Sequence, residues 1–224
     1  MIITIDGPAA SGKSTAARLL ARKLGASFLD TGAMYRAVTL AAMRAGVDLN
    51  NEQKLLDITQ KCEFQFSVKA GEMTVRIDNT NVTEQIRSPE VTANARYIAA
   101  APRVRERLVQ MQRRFAADRH KIVTEGRDQG TVAFGDADIK FYLTADLAER
   151  ARRRQAELQD KGGAGSLEQI QKAIEERDKS DKSRTVGPLK PAEDAIVVDT
   201  TNLSIEQVVE KLAGYVKEKC SKKT

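Results

Sequence analysis

The sequence predicts a three-layer α/β protein, with helices on both faces of a five-stranded parallel sheet. Three observations carry that expectation. Short apolar, β-branched runs alternate with helix-period stretches along most of the 224 residues, as strand–crossover–strand units do. The first such run leads straight through a glycine-rich loop into a helix. One interval, about residues 63–87, alternates with period two between turn residues, which marks a small antiparallel insertion in the α/β frame.

Composition narrows the function classes. With 41% hydrophobic and 30% charged residues, the 224-residue chain suits one well-buried domain carrying small insertions. No apolar run approaches the ~20 residues that cross a bilayer. The apolar start reads as the first strand and not as a targeting segment, so a cytoplasmic protein with no membrane partner is expected. Cys62 and Cys220 are too far apart in sequence to suggest a disulfide framework, which fits a reducing compartment. His120, the one histidine, excludes a multi-histidine metal site and, between Arg119 and Lys121, reads as a surface residue. The net charge of +6 suits a nucleic acid or a small polyanion. Six Phe, four Tyr and no Trp give few stacking platforms, so nucleic acid is not the expected partner.

Met1-Ile2-Ile3-Thr4-Ile5 is β-branched and apolar, a buried strand that Asp6 and Gly7 end. Gly7-Pro8-Ala9-Ala10-Ser11-Gly12-Lys13-Ser14 matches the phosphate-loop pattern G-x-x-x-x-G-K-[ST], and a helix over 15–24 follows. The two glycines let the backbone curl around an anion, and loop N–H groups with the helix start turn positive charge toward it. Lys13 can reach terminal phosphates, and the Ser14 hydroxyl can complete a Mg²⁺ shell.

A second short strand, 26–29, ends at Asp30-Thr31-Gly32, and helical spacing resumes over 33–45 with Tyr35 and Arg36 near its start. A cation in the first turn opposes the helix dipole, so Arg36 there points to an anion partner, or else to a plain surface arginine. After a helix over 51–62, the insertion reads as strands 63–68 and 73–77, a Lys69–Glu72 turn between them and an Asp78–Asn81 turn before Val82. A long helix then runs to about Asp118 with a break near Pro102. Most of its arginines (Arg103, Arg105, Arg107, Arg113 and Arg114) are expected to solvate the outer face.

Lys121–Thr124 is the next buried strand and delivers Glu125-Gly126-Arg127-Asp128-Gln129-Gly130-Thr131. Ligands of open α/β sheets bind beyond the carboxyl ends of strands, so Arg127 and Asp128 are site candidates, unless they pair structurally with neighbours. After a strand over 138–143, Asp146 begins a strongly charged helix. Gly162-Gly163-Ala164-Gly165-Ser166 forms a flexible joint, and a second cation-rich segment covers 174–184. Together they read as a lid over a polyphosphate, or as an exposed helical hairpin with ordinary charge pairs. A strand over 195–201 and an amphipathic helix from Ser204 to about Lys219 close the sheet, and Lys217–Thr224 is a basic tail expected to fray.

Phosphoryl transfer is largely positioning and charge neutralisation, so an arginine-rich, histidine-poor chain suits it. A nucleoside monophosphate acceptor, whose phosphate has a second pKa of ~6, is already a nucleophile at neutral pH and needs no histidine base.

The phosphate loop Gly7–Thr15, the stretches Asp30–Arg36, Glu125–Thr131 and Glu176–Asp178 with Asp181 and Arg184, and Asp199–Val208 together resemble the bacterial cytidylate kinases, in order and over essentially the whole chain. The resemblance implies a single P-loop kinase domain over 1–224, with a monophosphate-binding insertion at about 63–87 and a helical lid at about 150–184. It implies transfer of the γ-phosphate of ATP to CMP or dCMP with Mg²⁺, by a monomer in pyrimidine nucleotide metabolism. Gly7, Pro8, Ala9, Ala10, Ser11, Gly12, Lys13, Ser14 and Thr15 would hold ATP, with Ser14 on the metal. Arg36 and Arg127 would hold the acceptor phosphate, with Thr31 and Tyr35 beside the acceptor. Arg105 and Asp128 would read the cytosine, a carboxylate accepting from its 4-amino group and an arginine donating to its ring acceptors. Arg177, Asp181 and Arg184 would close on sugar, base or phosphates, and Arg153 and Arg154 belong to the lid. Lys13, Arg127, Asp128, Arg153 and Arg184 form the implied catalytic set.

Three positions depart from the family pattern: Arg96 where a serine is usual, Glu125 where an aspartate is usual, and Gln129 where an apolar residue is common. Arg96 is expected to point outward. Two rivals remain open from sequence: a kinase of the same fold with another acceptor (UMP, AMP or a small metabolite), and a nucleotide-dependent RNA-binding or regulatory protein.

Overall fold

The computed structural model describes residues 1–69, 72–160 and 162–221. Ala70 and Gly71 of the expected turn, and Lys222, Lys223 and Thr224 of the expected tail, lie outside the described residues. In chain order the elements are β1 (Ile2–Asp6), α1 (Lys13–Lys23), β2 (Ser27–Asp30), α2 (Thr31–Arg44), α3 (Glu52–Lys61), β3 (Phe64–Lys69), β4 (Glu72–Ile77) and β5 (Thr80–Asn81). There follow α4 (Pro89–Ala100), α5 (Pro102–Ala117), β6 (Ile122–Gly126), β7 (Ile139–Thr144), α6 (Leu147–Asp160), α7 (Leu167–Lys182), β8 (Ile196–Asp199) and α8 (Ile205–Ser221).

The five-stranded parallel sheet has the order β2-β6-β1-β7-β8, and β3-β4-β5 form a separate antiparallel sheet. The chain divides into two compact units, residues 1–26 with 123–224 and residues 27–122.

In the first unit β1 is buried on both faces, as in any sheet flanked by helices, with Ile3 and Ile5 on one face and Thr4 and Asp6 on the other. Ile3 and Ile5 are fully buried, and β1 runs parallel to β7 from Ile3 opposite Ile139 to Asp6 opposite Tyr142. Helices α1 and α8 pack together, with Ala16, Ala17 and Leu20 of α1 and Val209, Leu212 and Val216 of α8 buried. The Phe141 ring of β7 meets Tyr215 of α8 at 6.1 Å between centroids. Each fully buried Ile, Leu or Phe side chain contributes about 1.5–3 kcal/mol. That margin allows the backbone strain described below. Helices α6 and α7 form a hairpin around Ala151, Ile170 and Ile174. Ser166, read as the end of a flexible joint, is the cap of α7. Its side chain accepts from the Gln169 N–H while the Gln169 side chain accepts from the Ser166 N–H.

In the second unit α2 presents Met34, Ala37, Val38, Ala41 and Ala42 to its neighbours, all buried. The helix begins two residues before the expected Ala33, because the Asp30 carboxylate caps it by accepting from the Ala33 N–H at 2.8 Å. The helix break expected near Pro102 is present. Ala101 is extended between α4 and α5, as the residue before a proline prefers, and Pro102 opens α5.

Two expectations are corrected here. The turn before Val82 is shorter than Asp78–Asn81: only Asp78 and Asn79 take positive φ (46° and 63°), while Thr80 and Asn81 pair with Ile77 and Arg76 as β5. Two consecutive left-handed residues make the tight turn that matches strand twist, and Asp and Asn tolerate it. Helix α8 also runs to Ser221, past its expected end at about Lys219.

Candidate active site

The phosphate loop leaves β1 at its carboxyl end. Gly7 is obligatory there: its φ is 154°, and a Cβ would stand 2.2 Å from the carbonyl oxygen of Leu143 on β7. Gly12, with φ 81°, turns the chain into α1. Ala10 takes φ 58° without being glycine, a strain of about 1–2 kcal/mol that clusters at functional sites. Lys13 is buried, and its ammonium Nζ donates to the Pro8 carbonyl at 2.9 Å, across the mouth of the loop. Burial first, and the nearby Arg127 second, push its pKa down, while Glu125 and Asp181 oppose them. A cation held unfavourably beside other cations is completed by an anion.

The Ser14 hydroxyl donates to Glu125 Oε1 at 2.9 Å. Glu125, at the end of β6, thus brings its longer side chain to the loop despite standing where an aspartate is usual. Gln129 is likewise explained. It is buried, and its side-chain oxygen accepts from the Thr124 hydroxyl at 2.9 Å, so the polar group is satisfied.

Arg127 does not pair with Asp128. Its Nε donates to Asp181 Oδ2 at 2.7 Å, and Arg184 donates to the other Asp181 oxygen. Burial would raise the Asp181 pKa, but Arg127 and Arg184 outweigh it and hold the carboxylate below its usual range. Arg177, exposed on α7, adds its charge to both Lys13 and Asp181. The loop bearing Arg127 and buried Asp128 is fixed by Asp6, which sequence reasoning treated only as a strand end. Its two oxygens accept from the N–H groups of Gln129 (2.9 Å) and Gly130 (2.8 Å). Burial pushes the Asp6 carboxyl up to about 7.

Arg153 belongs to a different group. Its Nη1 and Nη2 donate to the Thr200 hydroxyl (3.0 Å) and carbonyl (2.6 Å), and a Cβ on Gly12 would lie 3.7 Å from Nη1. It therefore borders the phosphate loop beyond β8. Arg154 pairs with Glu157 and is not drawn to the loop. Two further residues were missed by sequence reasoning: Arg150 and Asp178, both buried, which grip the loop at Ala9. Asp178 stands in the Glu176-Arg177-Asp178 stretch, the one signal that could have found it.

The second unit holds Thr31, Tyr35, Arg36 and Arg105. Arg36 is the sixth residue of α2, not a first-turn residue, so the dipole argument for an anion partner is withdrawn. Its Nη2 donates to Asp30 Oδ2 at 3.1 Å, yet its Nε is buried with no partner. Arg105 is buried and does not solvate the outer face of α5. It lies over the Tyr35 ring, with Cζ 5.5 Å from the centroid, and Nη1 donates to the Ala99 carbonyl at 3.3 Å. Thr31 is buried at the start of α2. Arg96 is exposed on α4, as expected, with Cζ 4.9 Å from the Tyr97 centroid.

Known proteins resemble this chain in sequence and in fold. The sequence profile of the cytidylate kinase family matches residues 3–218. A cytidylate kinase of Rhodopirellula baltica is 47% identical over 218 residues, spanning 97% of this chain and 93% of its own. One from Actinobacillus succinogenes is 43% identical over 225 residues, spanning 98% and 99%. Among solved structures, an uncharacterized protein from Eubacterium ventriosum is similar with a TM-score of 0.51 at 12% identity, covering 97% of this chain and 98% of that one, a likeness of fold alone. With a phosphate loop, an arginine cluster at the strand ends and relatives this similar over almost their full length, the chain belongs to the cytidylate kinase family.

Proposed function

We propose that the protein transfers the γ-phosphoryl group of ATP to CMP or dCMP, giving ADP and CDP or dCDP. The observation that carries this reading is the Lys13, Arg127, Asp181 and Arg184 cluster beside the phosphate loop, in a chain of this family. An acceptor phosphate oxygen attacks the γ-phosphorus, and the bond to the ADP oxygen breaks. The acceptor is already dianionic, so the protein needs cations to hold both phosphates and needs no general base.

In this reading the whole chain works as one P-loop kinase domain, with residues 63–87 as monophosphate-binding insertion and 150–184 as lid. Gly7–Thr15 cradle the ATP phosphates, and Lys13 follows the group in transfer. Arg36 and Arg127 hold the acceptor phosphate, and the buried, unpartnered Arg36 Nε supports an absent anion there. Arg105 and Asp128 read cytosine; uracil would set an acceptor oxygen against the Asp128 carboxylate, a mismatch that buried sites reject strongly. Thr31 and Tyr35 flank the acceptor. Arg177, Asp181 and Arg184 close on it, and Arg153 guards the donor side.

Mg²⁺ is the proposed cofactor, and the residues fit it. Ser14 and Glu125 offer hard oxygens 2.9 Å apart, and among the described residues no three His, Cys, Asp or Glu gather into a full protein cage. Mg²⁺ is ordinarily held by one or two protein oxygens plus substrate phosphates. When bound it would neutralise charge on those phosphates. No helix among the described residues is long and apolar enough to cross a membrane. A cytoplasmic monomer acting in pyrimidine nucleotide metabolism is the setting we propose.

Phosphorus NMR of a mixture with Mg²⁺-ATP and CMP tests the reaction. The reading requires CDP and ADP resonances to grow together. ADP with inorganic phosphate, formed whether or not CMP is present, would mark an ATPase instead.

A further inference from the structure

We propose that Arg150 and Asp178 are positioning residues: they fix the Ala9 peptide of the phosphate loop and tie its conformation to α7, so that binding at the loop and binding of the acceptor favour each other. This rests on the reading of Arg177, Asp181 and Arg184, all on or just after α7, as acceptor-side residues.

Ala9 is the third residue of the loop, and both polar groups of its backbone are taken from outside the loop. Its N–H donates to Asp178 Oδ1 at 3.0 Å, and its carbonyl accepts from Arg150 Nη1 at 3.0 Å. The same Nη1 donates to Asp178 Oδ2 at 2.5 Å, and Arg150 Nε donates to the Ala145 carbonyl at 3.0 Å. Arg150, Asp178 and Ala9 are all buried. Two helices, α6 and α7, therefore hold one residue of the loop from both sides.

The next residue, Ala10, is the left-handed one. A run of N–H groups that bends around an anion depends on that alternation of backbone conformation, so the setting of Ala9 aims the N–H groups after it. A carboxylate beside a phosphate-binding loop would repel the ligand if it stood alone. Arg150 cancels that charge and supplies the second grip. Apolar contact reinforces the tie: Ala9 packs with Ala151, Ile170 and Ile174, and Ala10, Leu147 and Leu158 pack against the same cluster.

Asp178 directly follows Arg177 and stands one turn before Asp181, which holds Arg127 and Arg184. A helix is stiff over one turn. Ordering of the loop by a nucleotide thus sets α7, and the reverse follows because coupling between two sites is reciprocal.

The experiment titrates CMP into the full protein with and without a saturating non-hydrolysable ATP analogue and Mg²⁺. In the unaltered protein the analogue should tighten CMP binding about tenfold, within the usual range of coupling between sites. Asp178→Ala, which removes the acceptor of the Ala9 N–H, should bring that ratio close to one while leaving CMP affinity without the analogue unchanged. The paired Arg150→Met, Asp178→Ala variant, neutral in sum and without donor or acceptor for Ala9, should do the same and guards against misfolding by one unpaired charge. Undiminished coupling in both variants, or none in the unaltered protein, would overturn the proposal. So would an equal loss of CMP affinity with and without the analogue, which is what a purely structural role gives. If the unaltered protein binds no CMP at all, the functional reading itself fails, and this proposal with it.

Discussion

Asp181 on α7 separates two guanidinium groups: it accepts from Arg127 Nε at 2.7 Å and, through its other oxygen, from Arg184. The carboxylate is nearly inaccessible, so this is a buried ion triad. Removing one partner of such a set costs about 3–5 kcal/mol, because the remaining charges stay buried and here repel each other. We expect Asp181→Ala to lose stability on that scale in urea denaturation. Added CMP or phosphate should restore more stability to the variant than to the parent, since the anion takes the place of the carboxylate. A variant as stable as the parent would refute the account of the triad. The sign with pH follows from the lowered pKa. The stabilisation is complete above the ordinary carboxylate range and is lost as pH falls through the lowered value.

Asp6 titrates with the opposite sign. Its pKa is raised to about 7 by burial, so the folded state binds a proton that the unfolded state releases near pH 4. Its contribution is complete below about pH 4 and declines as pH rises toward about 7, at no more than ~1.4 kcal/mol per pH unit. The stability difference between the parent and Asp6→Asn should therefore shrink over that interval and level off above it. A difference independent of pH would show that Asp6 titrates normally.

Gly7→Ala should fail for two reasons at once: a φ of 154° and a Cβ 2.2 Å from the Leu143 carbonyl. The closest neighbour is strand backbone, which has nothing soft to move. We expect a loss of at least about 2 kcal/mol together with loss of ATP binding. Equilibrium denaturation and nucleotide titration would read the two effects.

Lys13→Ala and Arg36→Ala should separate transfer from acceptor binding. Lys13→Ala should lower kcat by at least about a hundredfold, as removal of a charge-stabilising donor does. Arg36→Ala should raise KM for CMP about tenfold or more and leave KM for ATP nearly unchanged, because the Asp30 cap of α2 does not need it. Steady-state kinetics with each substrate varied in turn checks both.

How much of this was legible beforehand depended on range along the chain. The strand, loop and helix of residues 2–23 were readable because their signals are local: β-branching, two glycines and a lysine at fixed spacing. The start of α2 was misread by two residues because Asp30-Thr31-Gly32 was read as the end of the strand, although Asp30 three residues before Ala33 is a cap signal. Arg105, named as a site residue only through the family resemblance, was also open to a reading from its place on the helix. It falls on the stripe of Leu108, Val109, Gln112 and Phe115 that α5 buries, and a charge on an apolar stripe asks for a function. Asp178 left no such stripe to read, and only its place in the Glu176-Arg177-Asp178 stretch pointed to it. Its partner Ala9 lies 169 residues away, and a long-range pair leaves no period in the sequence.

The most direct test of the central claim is product analysis after incubating the protein with Mg²⁺-ATP and each of CMP, dCMP, UMP, AMP and GMP separately. The account predicts rapid diphosphate formation confined to CMP and dCMP, with Asp128 and Arg105 then the positions to vary. Faster turnover of another monophosphate would contradict the reading of the base pocket. Turnover of none would contradict the kinase assignment altogether.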